Sequence, residues 1–173
     1  MILETKRLYL REMKQSDYSS LCKILQDKNV MYAYEHAFDD VETQEWLDKQ
    51  FTRYKDYGFG LWAVILKETD EMIGQCGITM QEFNNKQVLE VGYLFQKAFW
   101  HNGYATEAAI ACKEYAFKIL NADEVFSIIR DTNIPSQNVA KRNGMTVTDR
   151  FIKHYYGYDM PHLVFSIKRN EKA

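Results

Sequence analysis

Glu90-Val91-Gly92-Tyr93-Leu94-Phe95, running through Trp100-His101-Asn102-Gly103 into Tyr104-Ala105-Thr106-Glu107-Ala108-Ala109, is the stretch whose reading decides the fold. Its first part is rich in β-branched and aromatic residues and reads as a strand. From Gly103 to Leu120 the residues Ala105, Ala108, Ala109, Cys112, Tyr115, Ala116 and Ile119 mark one helical face, with Glu107, Lys113, Glu114 and Lys118 elsewhere on the surface. A strand, a turn and a helix N-terminus therefore meet. The first turn of a helix leaves amide N–H groups unpaired and carries the positive end of the macrodipole, so an anion placed there receives several donors together. Gly103 and the small Ala105 let the backbone approach closely, Thr106 adds a hydroxyl donor, and no acidic residue stands between His101 and Thr106. Such a turn suits a pyrophosphate, although a lone glycine at a junction of this kind more often simply begins a helix. A Walker loop is absent because no Gly-Lys-Ser/Thr occurs, and the glycines are too few for a dinucleotide fingerprint.

Upstream, Leu61 to Lys67, Met72 to Met80 and Val88 to Phe95 are separated by Thr69-Asp70-Glu71 and Asn84-Asn85-Lys86, which reads as an antiparallel meander. Before it stand an alternating strand, Arg7 to Arg11, and two helices. Ser16-Asp17 caps the first, which runs to about Leu25, and Asp39-Asp40 caps the second, which ends at Gly58 and Gly60. Downstream, Val125 to Arg130 reads as a buried strand, Pro135 to Asn143 as a short helix ended by Gly144, and the tail from Thr146 as two more strands. The order predicts one α/β domain over residues 1–173, with a mixed, twisted sheet of about seven strands flanked by about four helices. The sheet should be an antiparallel meander at one end and a parallel strand-helix-strand crossover in its middle. Phe95 and Arg130 then become neighbouring strand ends, with Asn133 and Ser136 across a cleft from the Gly103 turn, where open sheets bind ligands.

Composition narrows the function classes. The chain has 173 residues, 46% of them hydrophobic and 14% aromatic, enough for a sizeable core. A net charge of -2 gives no basic surface for nucleic acid. Cys22, Cys76 and Cys112 lack the paired spacing of a zinc or redox site and read as reduced core thiols, and no metal site is expected. No basic-then-apolar leader opens the chain and no apolar run approaches the roughly 20 residues of a membrane span, so a cytoplasmic location is expected.

Four ordered motifs then resemble the GNAT superfamily of N-acetyltransferases, in particular its ribosomal-protein N-terminal acetyltransferase (RimJ/RimL) branch. They are Leu3-Glu4-Thr5-Lys6-Arg7-Leu8-Tyr9-Leu10-Arg11, the strand Glu90-Val91-Gly92-Tyr93, the Trp100 to Ala108 loop and helix, and Asn133-x-x-Ser136 leading to Lys141-Arg142-Asn143-Gly144-Met145. The resemblance implies a GNAT-like fold and an enzyme moving an acetyl group from acetyl-coenzyme A to a primary amine. In similar proteins Trp100, His101, Asn102, Gly103, Tyr104, Ala105, Thr106 and Glu107 would bind the cofactor pyrophosphate. The main chain of Tyr93, Leu94 and Phe95 would pair with pantetheine like an added strand. Asn133 would hydrogen-bond the pantetheine arm, and Asn138 or Lys141 would reach the cofactor. A homodimer is a family expectation.

The chemistry is attack of a neutral amine on a thioester through a tetrahedral oxyanion. Ser136 resembles the family serine that protonates the departing thiolate, with helix capping as its plain structural role. Glu90 shares a strand face with Gly92 and Leu94 and could accept the amine proton through water, or stand there merely solvated or ion-paired. Two departures count against turnover: a tyrosine acid found in other GNAT enzymes is replaced by Ala140, and a glutamate base near Lys153-His154-Tyr155 has no counterpart, leaving His154 beside Tyr155 and Tyr156 as a substitute. The segment with Tyr32, Tyr34, Glu35, His36, Asp39 and Asp40 is acidic and aromatic and could attract a cationic amine, a peptide N-terminus or a polyamine, unless its charges are solvated or cap a helix. The alternative is a catalytically weak GNAT-fold module that binds an acyl-coenzyme A or a protein partner without turnover.

Overall fold

A computed structural model describes residues 1–155 and 157–171. The strands are β1 (Leu3–Glu4), β2 (Leu8–Arg11), β3 (Leu61–Leu66), β4 (Glu71–Phe83), β5 (Lys86–Phe95), β6 (Glu124–Arg130), β7 (Thr146–Tyr155) and β8 (Tyr158–Lys168). The α-helices are α1 (Tyr18–Leu25), α2 (Asp40–Tyr57), α3 (Tyr104–Lys118) and α4 (Ile134–Arg142). One sheet has the order β1-β2-β3-β4-β5-β6-β8-β7, antiparallel except for the parallel β5·β6 pair. The eighth strand, beyond the about seven expected, is the two-residue β1, which pairs Leu3 with Leu10 and is too short to show an alternating pattern.

Local chemistry accounts for the boundaries. Asn84 and Asn85 take φ 51° and 60° and join β4 to β5 by the two-residue turn that hairpin twist favours. Asp39 caps α2, its carboxylate accepting from Glu42 N–H at 2.8 Å while Glu42 accepts from Asp39 N–H, and Gly58 ends the helix at φ 78°. The start of α1 differs from expectation. A 3-10 turn, Gln15–Asp17, precedes it, and the Asp17 carboxylate is engaged by Arg11 at 2.8 and 2.9 Å and by Lys14 N–H at 2.7 Å, so it does not cap α1.

β3 is buried on both faces, which is why it reads as a continuous apolar run. Trp62 and Val64 pack with Ala108, Ala109, Cys112 and Ala116 of α3, whereas Ala63 and Ile65 pack with Leu21, Ile24 and Leu25 of α1 and Leu47 of α2. Small residues bring α3 close to the sheet: the Cys76 and Cys112 sulfurs are 3.6 Å apart, both thiols free. The sheet opens between β5 and β6, which share a single register pair. Among the described residues no helix is long and apolar enough to cross a membrane.

Candidate active site

The opening is a splay in the sheet. β5 and β6 share a single register pair, Glu90 with Phe126. Beyond it, side chains take over from the ladder: the Ser127 hydroxyl donates to the Val91 carbonyl at 2.8 Å, and the Glu90 carboxylate accepts from Ile128 N–H at 2.5 Å. Because the Val91 carbonyl faces β6, strand alternation turns the main-chain groups of Tyr93 and Phe95 into the same gap, while Leu94 pairs with Gln75 on the β4 side. Of the three residues expected to pair with pantetheine, two thus offer backbone to the gap and Leu94 offers its side chain to the cleft wall. The Phe95 carbonyl is already filled by the Trp100 indole N–H at 3.0 Å.

The turn that follows has its side chains committed to its own shape. Asn102 Nδ2 donates to the Phe99 and Trp100 carbonyls at 3.2 and 2.9 Å, and His101 and Gly103 take φ 65° and 79°. Gly103 is the N-cap of α3 and supplies no side-chain acceptor, which leaves the amides of Tyr104, Ala105 and Thr106 pointing out of the helix end. Glu107 faces the other way. Its carboxylate accepts from the Thr5 hydroxyl at 2.6 Å, Arg7 N–H at 2.9 Å and Arg7 Nε at 2.8 Å. Burial would raise the Glu107 carboxyl, but those donors outweigh it and hold it below the usual range. The clamp sets Arg7 at the turn: its guanidinium carbon lies 4.4 Å from the Tyr104 ring centroid, and Nη2 lies 3.4 Å from where a Cβ on Gly103 would stand. Arg7 was visible in the sequence only as part of a strand and of the opening motif.

Behind the splay lies a cleft of about 550 Å³ bounded by α2, β4, β5, the end of β6 and the β7–β8 hairpin. Glu90, Tyr93, Leu94, Asn133 and Ser136 all line it. Asn133 caps α4 through its Oδ1, 3.3 Å from Ser136 N, so the capping role considered for Ser136 belongs to Asn133. The Ser136 hydroxyl has no partner among the described residues, while the Ser136 carbonyl accepts from the Tyr93 phenol at 2.8 Å, tying α4 to β5 across the gap. Burial pushes the Tyr93 phenol well above its ordinary pKa, so it stays protonated. Glu90 is deeply inset yet still open to the cleft. Burial pushes its carboxyl up, against the Ile128 N–H, Lys153 and Arg53, to about 7.

Of the segment expected to face the acceptor, Tyr34 and His36 line the cleft, and the remaining expected residues fall elsewhere. Tyr32, outside the cleft lining, donates its hydroxyl to the lining Asn133 Oδ1 at 2.8 Å. Glu35 is exposed, and Asp39 and Asp40 serve α2, the latter accepting from Gln26 at 2.8 Å. His154 is 78% exposed on the hairpin and pairs with Asp159 at 2.5 Å, away from the cleft lining. Tyr156 lies outside the described residues. Asn138 and Lys141 sit on α4 outside the lining, half-buried and exposed respectively, and Ala140 is sealed in the core at 1% exposure. What sequence reasoning missed is the cationic wall: Lys49 and Arg53 of α2, Arg130 at the end of β6 and Lys153 of β7 all line the cleft. No group of three His, Cys, Asp or Glu able to hold a metal occurs among the described residues.

Comparison with known proteins places this geometry. The family model described as an acetyltransferase (GNAT) domain matches residues 7–146. The uncharacterized protein YkkB of Bacillus subtilis (strain 168) is 39% identical over 144 residues, covering 83% of this chain and 84% of that protein. The uncharacterized N-acetyltransferase YnaD of the same strain is 32% identical over 146 residues, covering 84% and 82%. Among solved structures, RimL, a ribosomal L7/L12 α-N-protein acetyltransferase in complex with coenzyme A, superimposes with a TM-score of 0.80 at 18% identity, covering 99% of both chains. With a splayed β5·β6 pair, an uncapped α3 N-terminus and a matching family model, the chain belongs to the GNAT family and is an acyl-coenzyme A-dependent acetyltransferase.

Proposed function

We propose that the protein, acting in the cytoplasm as one domain over residues 1–173, moves the acetyl group of acetyl-coenzyme A directly to a primary amine within a ternary complex. The observation that carries this reading is the placement of an unpartnered Ser136 hydroxyl and an inset Glu90 carboxylate at one splay whose edge presents the main chain of Tyr93 and Phe95. Coenzyme A fits these residues: pantetheine beside Tyr93 and Phe95 with Asn133 near, pyrophosphate at the amides of Gly103 to Thr106 with Trp100, His101 and Asn102 shaping the turn, and Asn138 and Lys141 of α4 toward its outer part. When bound it supplies an activated acetyl thioester. Glu90, with a pKa of about 7, takes the proton of the incoming ammonium through water, so that the neutral nitrogen forms the new N–C bond. Main-chain N–H groups of the β5 edge receive the charge that builds on the carbonyl oxygen, and Ser136 Oγ donates a proton as the C–S bond breaks. Tyr32 holds the Asn133 side chain in place through its hydroxyl.

The test is thiol release from acetyl-coenzyme A with small amines and peptides as acceptors, beside calorimetric binding of the cofactor. Turnover with any amine supports the proposal, and failure to bind acetyl-coenzyme A would refute it. A second reading, a module that binds acyl-coenzyme A without turnover, draws on Ala140 being sealed in the core and His154 lying outside the cleft. Cofactor binding without thiol release across both acceptor groups would favour it.

A further inference from the structure

The acceptor half of the cleft carries more positive than negative charge, and two of its residues hold buried donors without acceptors, although Arg53 Nη1 donates to Gln50 Oε1 at 3.1 Å. Lys49 and Arg53, four residues apart on one face of α2, look onto Glu90 of β5, with Lys153 of β7 opposite. Arg130 stands at the end of β6 on the far side of Glu90, toward Asn133. Three acids line the same space. Glu42 is paired with His36 at 2.6 Å, Glu82 is exposed at the rim, and Glu90 already accepts from Ile128 N–H. Neither Lys49, Arg53 nor Arg130 forms an ion pair with a carboxylate among the described residues. The cations also feel one another: Lys49 is pulled below its ordinary pKa by burial and then by Arg53 and Lys153. A cleft with low-dielectric walls concentrates such a field on its contents.

Two residues lining this cleft each hold a buried nitrogen with no hydrogen-bond partner among the described residues, Arg130 Nε and Gln75 Nε2. The orientation of Gln75 is fixed because its Oε1 accepts from the Trp46 indole at 3.0 Å, so the free group is a donor. A buried donor without an acceptor is costly, and both of these call for oxygen. A polycation would meet the reverse of what it needs. Of the acids in the segment that the sequence offered for a cationic acceptor, Asp39 caps α2, Asp40 accepts from Gln26 and Glu35 is exposed.

On the N-acetyltransferase reading above, we propose that the acceptor is an amine carrying a carboxylate or phosphate near its nitrogen, the nitrogen toward Glu90 and the anion toward Arg53, Arg130, Lys49 and Lys153. The single inset carboxylate among cations is the mirror image of such a zwitterion. Charge-assisted contacts of this kind distinguish an anion from its neutral analogue by roughly 10- to 100-fold in kcat/KM.

The experiment is thiol release over matched pairs: amino acids against their amides and methyl esters, phosphoethanolamine against ethanolamine, with spermidine and a neutral peptide beside them. The carboxylate and phosphate arms identify which anion is taken. The expected result is preference for the anion-bearing member, lost in Arg53→Gln through a rise in KM of about 10-fold for that member beyond whatever change the variant shows with its neutral partner through Glu90. Lys49→Gln, at the exposed mouth, should lower the preference in the same direction should Arg53→Gln fold poorly. Equal or better turnover of spermidine, ethanolamine, the amides or the neutral peptide would overturn the proposal while leaving the N-acetyltransferase reading intact. Acetyl-coenzyme A binding with no turnover of any amine would remove both.

Discussion

The turn at the α3 N-terminus, proposed for the donor, and the cleft wall proposed for the acceptor are built by opposite means. On the donor wall the side chains are consumed in holding the backbone: Trp100 fills the Phe95 carbonyl, Asn102 the Phe99 and Trp100 carbonyls, and Glu107 the β1–β2 turn. What faces outward is main chain, at a helix end with no capping side chain. On the acceptor wall the backbone is sealed in strands and α2, and charged side chains from α2, β5, β6 and β7 face the space. Backbone recognition tolerates sequence change as long as the turn geometry survives, whereas side-chain recognition changes with each substitution.

The donor wall should break at one residue. Gly103 sits at φ 79°, where a side chain costs about 1–2 kcal/mol, and it stands where the phosphates are proposed to lie. Gly103→Glu adds charge to that strain and is expected to weaken acetyl-coenzyme A binding by more than roughly 100-fold, measured by calorimetry. Gly103→Asn, which tolerates the left-handed region, should retain most of the affinity. Equal loss in both variants would mean that strain, and not phosphate repulsion, governs the site. Next in size is Ser136→Ala. Because Asn133 and not Ser136 caps α4, the helix should persist, and kcat should fall by about 10²-fold with the cofactor Kd unchanged. Unaltered kcat would remove Ser136 from the chemistry.

The same division explains what the sequence disclosed. The strand, turn and helix from Glu90 to Ala109 form one continuous stretch whose glycine, alanines and aromatic run speak for themselves locally. The Asn133–Ser136 pair was legible for the same reason. Arg7 was not, because a clamp on Glu107, one hundred residues later in sequence, sets it at the turn. Nor was the cationic wall: Lys49 and Arg53 of α2, Arg130 of β6 and Lys153 of β7 come from three elements and meet only when the sheet closes. In residues 32–40 Asp39 caps a helix as expected, while the cations that face the cleft lie outside that segment and cannot be read from it. The splay itself was hidden, because Ser127 and Glu90 replace ladder bonds with side-chain bonds while the strands keep their apolar pattern.

Glu90 joins the two walls and provides the smaller, pH-dependent effects. As the base it must be ionised, so kcat/KM should rise with pH through about 7 and level above it. Glu90→Gln keeps an acceptor for Ile128 N–H and should flatten that rise while lowering kcat about tenfold. Stability runs the other way. The folded carboxyl holds its proton up to about 7 whereas an unfolded glutamate loses it near the ordinary 4.5, so between these values the folded state binds more protons and stability falls as pH rises. Below 4.5 both states are protonated and the cost is absent; above 7 it is fully present. Urea midpoints of the wild type should therefore drop relative to Glu90→Gln between pH 5 and pH 8, and parallel midpoints across that range would show that Arg53 and Lys153 keep the carboxylate ionised throughout.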